Sequence, residues 1–278
     1  MIQVKKHSGD LVPFSEASLL KSLLNSGASK DDATSVVDLI TKDLYDGIST
    51  RELYQKAFEA LKVIKSSVAA RYSLKRALQG LGPDGFYFEK WMGKILETQG
   101  FSTITGQVLE GKSGITHEID VVAANETDKL VCECKFRNDL DAKISVTTPM
   151  YFLSRFTDLK DKEFTYFNKP FKPTKGYLIT NAFFTSDSIQ FANYYGIELI
   201  SWNYPENRSI KSITDKFGMY PITCLTTLTD EEEKMLLNKN CILVRDLIKQ
   251  PIVLTDLNCS TDRINTVLKE AKELVKMN

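Results

Sequence analysis

The stretch "DKLVCECKFRND", residues 128–139, sets Glu133 and Lys135 two positions apart in an apolar run with the texture of a strand. Alternate residues of a strand share a face, so this carboxylate and ammonium project together while Cys132 and Cys134 project oppositely. Upstream, "HEIDVV" embeds Asp120 between Ile119 and Val121. An isolated buried charge is expensive, so acids in such places need partners. Two acids and a lysine that converge can satisfy one another, and two acids can also share a hard divalent cation. Phosphodiester hydrolysis uses such a set: a cation to polarise the phosphoryl oxygen and help create hydroxide, and a charged group beside the attacking water. In that arrangement Asp120 and Glu133 hold Mg²⁺ (or Mn²⁺) and Lys135 sits beside the nucleophile. Glu89, on the inner side of the preceding helix, completes the acid cluster. A satisfied Glu–Lys salt bridge on a wet sheet face accounts for the spacing equally well. Glu118 reads as exposed or as a neighbour of the cluster, and His117 as structural. Cys132 and Cys134 lack a second cysteine or histidine pair at zinc spacing.

The elements that must carry these residues follow from periodicity. "FYFEKWMGKILETQG" is an amphipathic helix with Phe88, Met92, Ile95 and Leu96 on one stripe. Three extended runs follow, "FSTITGQVLE", "THEIDVVAAN" and "KLVCECKF". A helix around "MYFLSRFTDLKD", a strand "KGYLIT", a helix "SDSIQFANYYG" and a strand "IELISWN" complete the segment. Three strands, then helix–strand–helix–strand, predict a mixed sheet with helices on its faces. Before this segment, "HSGD" turns a short hairpin over residues 1–14. Four helical stretches come next, with caps expected at Ser15, at Ser29 with Asp32 three later, and at Ser49 or Thr50 with Glu52. "GLGPDG", rich in turn formers, marks a domain boundary. From Leu225 the pattern is helical again, with "LTDEEEKMLLNKN", "LVRDLIKQ" and "STDRINTVLKEAKELVK", the last entered through a cap region containing Asp262.

Bulk properties narrow the classes. The 278 residues suit about two domains. The start, "MIQVKKHSGDLVPF", lacks the apolar centre of a signal peptide, and no run approaches a membrane span of roughly 20 apolar residues. Five cysteines, an odd number, fit reduced thiols and a cytoplasmic location. With 36 basic and 36 acidic groups the chain has no global field to advertise a nucleic-acid partner, though a local basic groove remains compatible.

The ordered set "GFYFEKWMGKILETQGF", "THEIDVV", "VCECKF" and "KGYLITNAFFTSDSIQFANYYGIELISW" resembles the restriction-endonuclease-like (PD-(D/E)XK) superfamily, in particular its Mrr-like branch. The resemblance runs over residues 83–202. It implies an α/β/α fold, a Mg²⁺- or Mn²⁺-dependent nuclease acting on DNA, and site positions at Glu89, Asp120, Glu133 and Lys135. Many Mrr-like members carry Gln where this chain has Glu133, and a glycine usual before the I-D pair is replaced by His117–Glu118. Gln190 and Tyr194 echo a Gln–Tyr pair of some DNA-end nucleases; chance or a core role for Tyr194 explains the echo as well.

"VKKHSGDLVPF" with the four helices after it resembles the ATP-cone, a nucleotide-binding regulatory module of ribonucleotide reductases. The match implies nucleotide contacts at Val4, Lys6, His7, Gly9 and, through "YDGIST", Thr50, with ATP or dATP as effector. The family's arginine is His7 here, and Lys5 stands beside Lys6. The C-terminal "CILVRDLIKQPIVLTDLNCSTDRINTVLKEA" resembles helix-hairpin-helix units, with Leu257-Asn258-Cys259 in place of the hairpin glycine.

The expectation is thus a multi-domain α/β chain. Residues 1–82 form a cone-like hairpin plus four helices, residues 83–224 the nuclease-like mixed sheet, and residues 225–278 a helical segment. A homo-oligomer is expected. The competing class is a nucleotide-sensing regulator that docks nucleic acid without cutting it.

Overall fold

The computed structural model describes residues 2–6, 8–257 and 259–276. These divide into two compact units, one of residues 1–77 with 222–278 and one of residues 78–221.

The first unit begins with strands β1 (Gln3–Lys5) and β2 (Leu11–Pro13), antiparallel, closed by Lys6 N–H donating to Asp10 O at 2.8 Å. Helices α1 (Glu16–Asn25) and α2 (Lys30–Lys42) follow, then β3 (Ile48–Ser49), which pairs in parallel with β1. Helices α3 (Thr50–Ile64), α4 (Ser66–Tyr72) and α5 (Leu74–Ala77) complete the N-terminal part. Ser15, Ser29 and Ser49 each accept a backbone N–H from the first turn of the helix they precede, as the sequence pattern predicts. Leu23, Ala33, Val36, Ile40, Ala57 and Leu61 fill the core between these helices.

In the second unit α6 (Phe86–Glu97) leads into β4 (Ser102–Glu110), β5 (Thr116–Ala124) and β6 (Lys129–Cys134). Then come β7 (Lys143–Ile144), α7 (Thr147–Leu159), the hairpin β8 (Phe164–Tyr166) and β9 (Lys169–Phe171), and β10 (Lys175–Ile179). The unit ends with β11 (Phe183–Phe184), α8 (Ser186–Tyr195), β12 (Ile197–Ile200) and α9 (Ile210–Phe217). The main sheet has the order β12-β10-β6-β5-β4, antiparallel across β4, β5 and β6 and parallel across β6, β10 and β12. This is the mixed sheet the element order predicts, with crossovers through α7 and α8. The small β7–β11 ladder, the β8–β9 hairpin and α9 are additions; two- and three-residue strands carry too little alternation to be seen in sequence. Val122, Val131, Leu178, Ile197 and Leu199 pack under Phe152, Phe156 and Leu159 of α7.

The C-terminal helices α10 (Asp230–Asn238), α11 (Val244–Lys249) and α12 (Thr261–Lys276) belong to the first unit, where α12 packs on α4 and α11. The sequence reading kept residues 225–278 as a segment of their own; in the structure they share a unit with residues 1–77. Amphipathic helices read singly give no sign of which partner covers their apolar face. A 3-10 turn, Pro251–Leu257, lies between α11 and α12 and ends where Leu257 begins the Leu257-Asn258-Cys259 step that stands in place of a hairpin glycine. Asp262 lies in the first turn of α12, and Ser260 Oγ accepts the Arg263 N–H. Two acids, Glu270 buried and Glu232 half-buried, tie these helices down. Glu270 accepts four hydrogen bonds, from the N–H and hydroxyl of both Thr226 and Thr227, at 2.7–3.1 Å. Glu232 closes the capping box with Thr229 and receives the Arg263 guanidinium at 2.9 and 2.5 Å.

Those bonds from Arg263 hold the Glu232 carboxyl down at about 2, below its ordinary 4.5. Its depressed value means the unfolded chain binds the extra proton first, so this stabilisation is present above about pH 4.5 and fades toward pH 2. Glu232→Gln is expected to lower the melting temperature at pH 7, and the gap from the parent should close between pH 5 and 2. Melting curves over that range check it; a gap independent of pH would contradict the ion pair's role.

Candidate active site

The sequence-predicted acids meet where the sheet opens. Strands β5 and β6 pair from Ala124↔Lys129 to Val121↔Cys132 and no further, so Asp120 and Glu133 sit just past the last rung. In the gap the Asp120 carboxylate accepts the Cys134 N–H at 2.5 Å, a side chain replacing a ladder bond. A kink makes this possible. Ile119 and Val122, three apart, both belong to the core beneath α7, so β5 changes face between them. Opposite Asp120, at the one unpaired step of the β4–β5 ladder, stands Gly106 with φ +64°. That left-handed conformation is where a side chain is strained and glycine is not. The kink thereby leaves the Asp120 carboxylate free to swing into the gap.

Glu133 is 4% exposed at its side chain and carries two cations. Lys135 Nζ pairs with Oε1, and Arg155 of α7 donates to Oε2 at 2.5 Å. The other arm of Arg155 donates to the Glu118 carbonyl, which clamps α7 to β5 and β6 at the site. Lys135 is held from behind: its N–H donates to Ile179 O at 2.7 Å and its carbonyl accepts from the Thr180 hydroxyl at 2.6 Å. Asn181, buried, accepts the Arg137 N–H and donates to the Arg137 carbonyl, both at 2.8 Å. The segment after β6 is therefore fixed to the end of β10.

Glu89 lies in the first two turns of α6, facing Asp120, Glu118 and Glu133. The helix starts at Gly85 (φ +88°), where a Cβ would press to 3.2 Å from Phe136. Burial and then the Asp120 charge push Glu89 up to about 7. Burial, with Glu133 next, raises Asp120 to about 6, against the lowering hydrogen bond from Cys134. All four predicted residues, Glu89, Asp120, Glu133 and Lys135, thus converge. Arg155 is the one the sequence reading passed over. Its signal was present: it falls on the stripe of Phe152, Phe156 and Leu159, an arginine on the buried face of a helix.

The remaining candidates separate from this cluster. His117 pairs with Asp158 at 2.7 Å, and Asp158 also accepts the Ser113 N–H and hydroxyl, so this histidine pins the β4–β5 turn to the end of α7. Burial raises the thiols of Cys132 and Cys134, which disfavours the thiolates zinc requires. Tyr194 is 83% exposed, not in the core. His7 lies outside the described residues, as does Asn258. Val4 is buried, while Lys6 and Thr50 are exposed and Gly9 takes φ +91° in the hairpin turn. The β1–β3 register, Lys5↔Ser49, brings Lys6 and Thr50 to adjacent strand ends.

Among the described residues no three acid, imidazole or thiol groups form a ready metal cage. The donor set nonetheless suits a hard cation. Mg²⁺ is commonly held by one or two carboxylates, completing its octahedron with water and substrate phosphate oxygens. Asp120 and Glu133 supply two such oxygen donors, and burial first, then the neighbouring carboxylates, raise Asp120 and Glu89.

Residues 82–203 match the restriction endonuclease family model Mrr_cat, and residues 220–275 match the model of the AF1548-like C-terminal domain. An uncharacterised protein of Archaeoglobus fulgidus is 29% identical over 185 residues, covering 66% of this chain and 99% of its own length. The crystal structure of a protein of unknown function, AF1548, aligns with a TM-score of 0.57 at 27% identity, covering 69% of this chain and 99% of that one. The central unit thus matches a restriction endonuclease model within a mixed α/β chain, and the C-terminal helices match the model of an AF1548-like C-terminal domain. No helix among the described residues is long and apolar enough to cross a membrane.

With folded values above the ordinary ones, Asp120 and Glu89 bind more protons in the folded than in the unfolded chain between about pH 4 and 7. Stability then falls as pH rises through that window. In metal-free buffer Asp120→Asn is expected to gain on the order of 1–2 kcal/mol at pH 8 and nothing at pH 4. Denaturant unfolding at the two pH values checks this, and equal effects at both would contradict the crowding of charge.

Proposed function

We propose that this chain is a divalent-metal-dependent endonuclease that hydrolyses DNA phosphodiesters, with a nucleotide effector acting at the N-terminal hairpin. The observation that carries the first part is the convergence of Glu89, Asp120, Glu133 and Lys135 at the splayed end of β5 and β6, inside a segment matching a restriction endonuclease model. Asp120 and Glu133 would hold Mg²⁺ or Mn²⁺. When bound, such an ion polarises a phosphoryl oxygen and lowers the pKa of water.

The side chains supply the rest. Lys135, on the rim of the cluster, offers its ammonium to the charge that develops on the phosphoryl oxygens as the bond to the leaving oxygen breaks. Glu89, poised near 7, can take the proton that the attacking water loses. Arg155 pairs with Glu133 and holds its carboxylate in place, so it is a positioning residue.

The decisive assay is cleavage of plasmid and linear DNA with Mg²⁺ or Mn²⁺, beside Asp120→Ala and Lys135→Ala. Metal-dependent nicking by the parent is expected, with at least a 100-fold loss in Lys135→Ala while DNA binding and melting temperature stay near those of the parent. Retained cleavage in Lys135→Ala would refute the site. Binding without cleavage, surviving Asp120→Ala, would make the chain a nucleic-acid-docking regulator, and cutting confined to RNA would change the substrate.

The effector part rests on the register that sets Lys6 beside Thr50 and on the turn at Gly9. Lys6 would pair with phosphate and Thr50 donate a hydroxyl hydrogen bond. Val4 forms the buried floor, and His7 follows from the sequence resemblance alone. Millimolar ATP or dATP is expected to raise the melting temperature, and Lys6→Ala to abolish the shift. No shift in the parent would leave the module a packing unit.

A further inference from the structure

Three parallel strands, β6, β10 and β12, end at the same edge of the sheet, and their following loops meet there. The chain after β6 passes Lys135 and Arg137 and reaches Asp141 and Lys143. The chain after β10 delivers Phe183 and Phe184, and the turn after β12 delivers Asn203 and Tyr204. Asp141, Lys143, Phe183, Phe184, Asn203 and Tyr204, with Ile189, line a cavity of about 360 Å³. Its frame is rigid: β7 and β11 pair as Phe183↔Lys143 and Phe184↔Ile144, and Phe183 N–H donates to Ala142 O at 3.1 Å. Ser188 Oγ and the Thr185 N–H both donate to Ile144 O, at 2.8 and 3.1 Å. Ser201 N–H donates to Tyr204 O at 2.7 Å, and Tyr204 N–H returns a bond to Ser201 Oγ.

Ligands of open α/β sheets bind outside the carboxyl ends of parallel strands, and this cavity occupies that place. Its chemistry defines the ligand. Phe183, Phe184 and Tyr204 supply aromatic surface, while Asp141, Lys143 and Asn203 supply an acceptor, a donor and an amide that is both. The one acid and one base cancel, so the cavity is unsuited to phosphate and suited to a neutral planar heterocycle with donors and acceptors on its edge. The chain leaving β6 runs from Lys135 straight to Asp141 at this cavity, a step of at most about 20 Å of extended backbone, so one bound strand can engage both.

We propose that this cavity receives one unstacked nucleobase of the nucleic acid bound at the catalytic cluster, reading its edge through Asp141 and Asn203. This rests on the nuclease reading. Two sources share the chemistry: a base extruded from a duplex, or a base of a single strand.

The test uses the full chain with Ca²⁺ and DNA carrying 2-aminopurine at successive positions, as duplex and as single strand. An end label reports binding independently by anisotropy. A several-fold fluorescence change at one or two positions is expected, lost in Asn203→Leu and Asp141→Asn while anisotropy affinity changes less than threefold. A response with duplex identifies extrusion, and one with single strand alone identifies that source. Binding and cleavage with a flat 2-aminopurine signal in both forms would overturn the cavity's role and leave the nuclease reading standing. Absence of binding and cleavage would fail the nuclease reading and this proposal with it.

Discussion

The burial and crowding of Glu89, Asp120 and Glu133 at the end of β5 and β6 is the constraint on which this unit turns. Burying one carboxylate costs several kcal/mol without a partner, and crowding several multiplies the cost. The chain meets part of it with Lys135 and Arg155, both committed to Glu133. Another part is met by the Cys134 N–H, committed to Asp120. What remains raises Asp120 and Glu89 toward neutral pH. A fold selected for stability alone would put an amide or an apolar side chain at either position. The residual charge is the physical ground for reading the cluster as chemistry, because a cation or a reacting proton can use it.

Backbone irregularities deliver that cluster. A regular β5–β6 ladder would spend the Cys134 N–H on a carbonyl and leave Asp120 nothing to hold. Stopping the ladder at Val121↔Cys132 frees both groups, and the kink opposite Gly106 turns the side chain toward them. The parallel strands then do separate work. β10 braces the chain leaving β6, through Ile179, Thr180 and Asn181, so Lys135 emerges at a fixed place. The same brace aims the following loop toward the aromatic cavity. Acid–lysine cluster and cavity thus depend on one set of strand-end hydrogen bonds.

Much of this was legible in sequence, for a reason that also marks its limits. Charges inside apolar alternation, as at Asp120 and Glu133, violate the local pattern, and a violation is visible without knowing the fold. Arg155 breaks a pattern too, though only for a reader who already knows which face of α7 is buried. The Gly106 kink was invisible, because a glycine in a strand is compatible with many roles. The assembly of residues 222–278 with 1–77 depends on long-range apolar complementarity that no local spacing encodes. Likewise the two-residue strands β7 and β11, which frame the cavity, exist only because tertiary contacts fix them.

The acids of the helical unit provide the contrast that gives the cluster of Glu89, Asp120 and Glu133 its meaning. Glu270 is as buried as Glu133, yet four threonine donors surround it. Glu232 has a guanidinium and a helix-start N–H, and is held at about 2. Each of these carboxylates is matched by fixed donors, so its charge is spent on joining segments. Asp120, in the same chain, receives one backbone bond and stands at about 6. Proteins can match an acid fully with fixed donors, as this one does for buried Glu270 and half-buried Glu232. Where it stops short, beside a lysine at an open strand end, the unmatched charge is left for something that arrives from outside.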